Sequence, residues 1–103
     1  MDQPAQKSNL MHILRLEYTG AESEAEPHIT GHVDYLERNH ARGVFLISGQ
    51  TVPTEHGGVI IATGVSRREI EAISQTDPFV VAGVGRYTVT TFECGRVSSA
   101  VAL

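Results

Sequence analysis

His32 is a histidine among apolar residues on one face of a predicted helix. It is three residues after Ile29, next to Val33 and four residues before Leu36, which is the spacing of a single helical face. Its imidazole is suited to general base catalysis near neutral pH. A histidine on an apolar face is more often a packed core residue, so this position alone does not assign a function.

Asp77 is the second candidate, because it precedes Pro78 at the predicted end of the second helix. The partial negative charge of a helix C-terminus disfavours a carboxylate by roughly 0.3–1 kcal/mol, so Asp77 is expected to need a partner. A histidine is suitable, since a carboxylate that accepts from one ring nitrogen fixes the tautomer. Adjacent helices can bring His32 and Asp77 together as an acid–base pair. Alternatively, Asp77 only caps or turns the chain before Pro78.

The elements that must position these side chains follow the order βαββαβ. Alternating or short apolar runs predict four strands, at residues 10–18, 44–48, 59–63 and 79–94. A first helix is expected from about Pro27 to Arg42, with His40 also on its inner face. A capping box of Ser66 and Glu69 opens a second helix, which must stop by Asp77. This order is the split-βαβ pattern of the ferredoxin-like fold, in the α+β class.

Such a sheet has helices on one face only. The other face carries Val, Ile, Leu and Phe as well as polar residues, and its exposure would leave a larger apolar patch than soluble monomers tolerate. The pattern therefore predicts a homodimer whose paired sheets form a dimeric α+β barrel around a shared or paired cavity.

Length and charge limit the class of protein. The 103 residues suit one domain at residues 10–95, with a flexible N-terminal tail at 1–9 and a C-terminal tail at 96–103. A net charge of −4 without a basic block argues against nucleic-acid and anionic-membrane partners. The sequence has no membrane-length apolar run and no signal-peptide pattern, and Cys94 is its only cysteine. We therefore expect a cytoplasmic protein.

Metal and nucleotide sites have weak support. His28 and His32 are four residues apart, as two metal ligands on a helix would be, but no H-E-x-x-H signature exists. Further ligands would have to come, without supporting spacing, from His12, His40 or His56. The G-x-G of residues 83–85 lies in a strand pattern and precedes no helix, unlike a nucleotide-binding loop. No metal or cofactor is expected.

Several segments together carry a family resemblance. They are His-Val-Asp-Tyr-Leu at 32–36, Gly43, Ser-Gly at 48–49, Gly-Gly-Val-Ile at 57–60, Asp-Pro-Phe at 77–79 and Ala-Gly at 82–83. From about His12 to Phe92 the chain resembles the YciI-like (YCII-related) family of small dimeric α+β-barrel proteins. The acid–base pair attributed to that family falls on His32 and Asp77. The resemblance implies cofactor-free proton transfer on a small organic molecule, for example by a lyase or dehydrochlorinase acting on a hydroxylated aromatic ring, or by an isomerase.

The chain departs from the family pattern at two positions. Ile29 stands where members often have an arginine, and Gly49-Gln50 replaces a frequent Gly-Pro. Arg15 and Arg86, both on predicted strands, are candidates to replace that arginine in substrate binding, and Ser48 and Gly49 are candidates to line the cavity.

A ligand-binding module or dimeric scaffold without turnover is the competing interpretation. An enzyme should expose an imidazole nitrogen of His32 to an open cavity. A scaffold should instead have that space filled by side chains.

Overall fold

The structure is a computed structural model and describes residues 9–101. Strands and helices alternate along the described chain in a βαββαβ arrangement with short additional helical turns. In order they are β1 (Leu10–Tyr18), a 3-10 helix (Glu22–His28), α1 (Ile29–Ala41), β2 (Phe45–Gln50), a 3-10 turn (Thr54–His56), β3 (Gly58–Thr63), α2 (Arg67–Ser74), α3 (Pro78–Val81) and β4 (Gly85–Glu93).

The four strands form one antiparallel sheet in the order β2-β3-β1-β4. The predicted α+β, ferredoxin-like fold is therefore confirmed. Strand β1 is central and pairs with β3 on one side and β4 on the other. Its alternation places His12, Leu14 and Leu16 in the buried layer under the helices.

The main core lies between this sheet and helices α1 and α2. Leu14, Tyr35, Phe45 and Ile70 are almost completely buried there. Burying an aliphatic or aromatic side chain of this size stabilises a fold by roughly 1.5–3 kcal/mol. Because the four residues come from β1, α1, β2 and α2, their packing fixes each helix against the sheet.

Helix α2 begins as the sequence predicts. The Ser66 hydroxyl accepts from the Glu69 backbone N–H at 3.1 Å, and the Ser66 N–H donates to the Glu69 carboxylate at 2.8 Å. Both halves of the capping box are present. Val65 and Ile70 are buried on either side of it, as expected of a hydrophobic staple.

The predicted long strand over residues 79–94 is wrong in its first part. Asp77 and Pro78 instead begin the short helix α3, and β4 starts only at Gly85. The Asp77 side chain accepts from the Phe79 N–H, and proline suits the first helical position because it has no N–H to satisfy. This local capping outweighs the strand preference of the β-branched residues at 80–81.

The predicted inner face of α1 is also partly wrong. The buried residues of this helix are Tyr35 and Asn39, whereas Ile29 and Val33 are 47% and 41% exposed. This apolar face of α1 lines a cavity with Ile29, His32 and Val33. The sequence therefore predicted the apolar face correctly, but the face borders a cavity and is not packed in the core.

Both predicted tails lie at the edge of the described chain. Residues 1–8 of the predicted N-terminal tail and residues 102–103 of the predicted C-terminal tail are outside the described residues. Residues 94–101 contain neither helix nor strand. Within residues 9–101, no helix has the length and apolar character needed to cross a membrane.

Gly57 should be intolerant of a side chain. It has φ +103°, and a Cβ atom there would be 1.8 Å from the backbone oxygen of Leu16. We expect Gly57→Ala to lower the free energy of unfolding by roughly 2–5 kcal/mol, measured by urea denaturation. Gly64→Ala is the matched control, since Gly64 also has positive φ (+84°) but open space around it. Equal destabilisation by the two variants would contradict the close contact at Leu16.

Candidate active site

A cavity of about 470 Å³ lies on the helix-covered side of one chain. Its walls come from the first 3-10 helix, the N-terminal half of α1, Phe79 of α3 and the ends of β1, β2 and β3. The sequence predicted a cavity between the sheets of two protomers, whereas this one is formed within a single chain. It is large enough for a small organic molecule, since ligand pockets typically begin near 300 Å³.

His32 and Asp77 are in direct contact beside this cavity. Nδ1 of His32 is 2.9 Å from both carboxylate oxygens of Asp77. Gly31 permits the approach of α1 to α3, because a Cβ atom at this position would be only 3.0 Å from the Pro78 ring. The residue before His32 therefore packs against the residue after Asp77.

The ring of His32 is held in a fixed orientation by aromatic packing. It stacks on Phe79 with centroids 4.0 Å apart and planes only 3° from parallel, and the ring of Tyr35 is 6.0 Å away. The His32 side chain is 14% exposed and lines the cavity. Within residues 9–101, Nε2 has no hydrogen-bond partner, so it is the ring nitrogen available to a ligand.

Asp77 is completely buried and accepts hydrogen bonds from three groups. Besides His32, the Phe79 backbone N–H donates at 2.9 Å and the Tyr87 hydroxyl at 2.6 Å. Because an ionised carboxylate can only accept, the contact with His32 requires the proton on Nδ1 and leaves the Nε2 lone pair free.

The helix-dipole argument that singled out Asp77 is wrong. Helix α2 ends at Ser74, and Asp77 is the N-cap of α3, where a carboxylate is favoured. The sequence analysis thus selected Asp77 through an expected helix C-terminus, whereas Asp77 lies at a helix N-terminus.

Tyr87 is a site residue that the sequence analysis missed. Its pKa is raised by burial, by its electrostatic interactions with Tyr35 and Asp77 and by its hydrogen bond to Asp77, so the phenol stays protonated and can donate to Asp77. Its alternation with Gly85 and Val89 in β4 is a signal that could have placed it on the helix-covered face.

Tyr35 is buried beside Tyr87 and differs from it in one respect. Burial also raises the pKa of Tyr35, and the two phenols influence each other's pKa. The Tyr35 hydroxyl has no partner of hydrogen-bond geometry within the described chain, however, whereas the Tyr87 hydroxyl has Asp77. The two tyrosines therefore provide a matched pair for measuring what the bond to Asp77 contributes.

Ser48 and Gly49 both line the cavity. The Ser48 hydroxyl is 2.8 Å from Nε2 of His40, so the histidine at the far end of α1 orients the serine. Sequence analysis had placed His40 on the inner face without a partner.

Arg15 and Arg86 do not reach this cavity. Both alternate with the buried residues of β1 and β4, so they lie on the open face of the sheet, which the helices do not cover. On this face, Nε of Arg86 is 3.8 Å from Oε1 of Glu17. Their predicted role in holding the substrate finds no geometric support within one chain.

The other histidines do not join the site. His12 is buried, with Nδ1 2.8 Å from the Thr91 hydroxyl and Nε2 2.8 Å from the Val65 carbonyl oxygen. His28 and His56 are absent from the cavity wall. Across residues 9–101, no group of three or more His, Cys, Asp or Glu side chains is arranged to hold a metal ion.

Comparison with known proteins identifies the family. The YCII-related domain profile matches residues 11–93, so the chain belongs to the YCII-related family. Among solved structures, it is similar to 5-chloro-2-hydroxyhydroquinone dehydrochlorinase (TftG) from Burkholderia phenoliruptrix AC1100, in complex with 2,5-dihydroxybenzoquinone. The two share 23% identity with a TM-score of 0.66, over 84% of this chain and 95% of that chain. At this identity the likeness shows the fold. No curated protein matches the sequence.

Tyr87→Phe should destabilise the protein through Asp77. Removing a donor from a buried carboxylate costs roughly 1–3 kcal/mol, and we expect this loss in urea unfolding of the variant. Tyr35→Phe removes the same atom from a buried tyrosine that lacks a hydrogen-bond partner within the described chain, so it should cost less than about 0.5 kcal/mol. A larger loss in Tyr35→Phe than in Tyr87→Phe would contradict the assigned hydrogen bonds.

Proposed function

We propose that this protein is a cofactor-independent enzyme that uses His32 and Asp77 as an acid–base pair on a small organic substrate. The observation that carries the proposal is the contact of Nδ1 with the buried carboxylate beside an open cavity. Asp77 orients His32 and stabilises the imidazolium that forms when Nε2 accepts a proton. Asp77 itself does not touch the substrate.

The reaction that suits this arrangement is elimination or isomerisation. Nε2 of His32 removes a proton from the substrate, and the electron pair left behind forms a new double bond. In an elimination, a leaving group such as chloride departs with its own bonding pair, and the proton on Nε2 passes to solvent. In an isomerisation, His32 returns the proton to a different atom. Neither sequence needs an external oxidant or reductant.

A hydroxylated aromatic ring is the substrate class that we propose. The fold likeness is to a dehydrochlorinase in complex with 2,5-dihydroxybenzoquinone, and membership of the YCII-related family is consistent with this class. Phe79, Leu16 and Ile60 give the cavity apolar walls for a ring. Ser48, oriented by His40, supplies a hydroxyl that can bond to a ring substituent.

A binding module without turnover is the second candidate. It is favoured by the same cavity, because a ligand can occupy this space without any reaction. A scaffold with a filled interior is not favoured, since the space beside His32 is open. Turnover by the wild-type protein, and its loss in variants of the pair, distinguishes an enzyme from a sensor.

His32→Gln and Asp77→Asn should each lower kcat by at least about 100-fold, the usual contribution of a general base or of the group that orients it. The assay screens chlorinated and hydroxylated aromatic compounds for chloride release or a change in ultraviolet absorbance. Circular dichroism checks that each variant is folded. His56→Gln is the control, since His56 is exposed and does not line the cavity. Turnover in His32→Gln within a few-fold of wild type would reject the acid–base role.

We further propose that the protein acts in the cytoplasm as a homodimer joined through the open face of its sheet. Ile47 and Phe92 are exposed large apolar residues on this face, beside the partly buried Ile13 and Ile61. The face also carries arginines and Glu17, so two copies related by a twofold axis can pair opposite charges. A second copy is therefore a suitable cover for this surface.

Light scattering after size-exclusion chromatography tests the dimer. We expect the mass of two chains at micromolar concentration, and Phe92→Glu should shift the population towards monomer because it buries a charge in the interface. Glu93→Gln, at a neighbouring exposed position, should leave the dimer intact. A stable wild-type monomer would reject the proposal.

A further inference from the structure

The charged residues that line the cavity are acidic. Glu22 and Glu26 line its rim, and no arginine or lysine lines it anywhere in residues 9–101. Arg15 and Arg86 lie on the opposite face of the sheet. Among residues 9–101, the cavity wall therefore carries two carboxylates and no arginine or lysine.

The negative charge of Glu22 acts on a residue of the cavity wall. Tyr18 lines the same cavity, and its pKa is raised by burial and, second, by the charge of Glu22. A negative charge that opposes ionisation of a phenol on the wall would oppose an anionic ligand in the same space.

The start of α1 does not provide a compensating anion site. The 3-10 helix runs directly into α1, and the Ile29 backbone N–H is already bonded to the Glu26 carbonyl oxygen. The side chain at this point is the apolar Ile29, 47% exposed and directed along the cavity wall. Both observations reduce the attraction that a free helix N-terminus would exert on an anion.

We infer that the cavity prefers aromatic substrates that are uncharged or carry a positive charge over those with a carboxylate or another fixed negative group. This inference rests on the proposed function, because it takes the cavity as the substrate site. It adds a charge class to the proposed substrate: the ring carries neutral hydroxyl groups or an amine, which can donate to Ser48 and the glutamates.

Three probes of similar size and different charge test the selection. Benzylammonium, benzyl alcohol and benzoate are titrated into ¹⁵N-labelled protein at neutral pH and low salt, and Kd is read from chemical shifts of cavity residues. We expect benzylammonium to bind roughly tenfold more tightly than benzoate, with benzyl alcohol between them, because two carboxylates attract one probe and repel the other. Salt should reduce the ratio of the benzoate Kd to the benzylammonium Kd, since the glutamates are exposed.

Variants identify the source of the preference. In Glu22→Gln/Glu26→Gln the ratio should fall towards one, whereas the matched pair Glu37→Gln/Glu93→Gln, which removes the same charge away from the cavity, should keep it. Ile29→Arg should tighten benzoate binding. Benzoate binding as tightly as benzylammonium, an unchanged ratio in Glu22→Gln/Glu26→Gln, or binding by none of the probes at millimolar concentration would overturn the inference.

The two proposals fail separately. Probe binding needs no turnover, so full activity in His32→Gln would reject the acid–base mechanism and leave the measured charge preference in place. Tight benzoate binding with an inactive His32→Gln variant would reject the charge preference and leave the mechanism in place.

Discussion

The buried carboxylate of Asp77 is the constraint on which the site depends. A carboxylate that is completely removed from water needs several donors, and this one has the His32 imidazole, the Tyr87 hydroxyl and the Phe79 N–H. These donors come from α1, β4 and α3. Satisfying one charge therefore joins three elements and fixes the tautomer of the histidine at the same time. Stability and proposed chemistry share the same atoms.

The cavity lies beside the first part of α1, where the helix does not pack closely against the sheet. Tyr35 and Asn39 pack fully, while Ile29 and Val33, nearer the start of the helix, face empty space. An apolar wall that stays half exposed costs stability, which is a common property of ligand sites. The stack of His32 on Phe79 forms part of the same wall, so a bound ring would lie against an aromatic surface that already holds the base in place.

Local signals in the sequence were sufficient for the order of strands and helices along the chain and for the α2 capping box, because alternation and capping act over a few residues. The family was recognised by the resemblance of several short motifs. The α3 turn was missed because the valines after Asp-Pro favour a strand, and only the cap geometry reveals the helix. Contacts between residues distant in sequence could not be predicted from local patterns. The hydrogen bond of Tyr87 to Asp77 and that of His40 to Ser48 depend on how β4 and β2 align with the helices. Arg15 and Arg86 were assigned by residue type, and the strand alternation argued against them.

The central claim is that Asp77 holds the proton of His32 on Nδ1 and leaves Nε2 free for the substrate. Long-range ¹H–¹⁵N correlation spectra of the imidazole measure this directly at a pH where His32 is neutral. The account predicts a protonated Nδ1 and an unprotonated Nε2 in the wild type, and a change of this pattern in Asp77→Asn. A proton on Nε2 in the wild-type protein would contradict it.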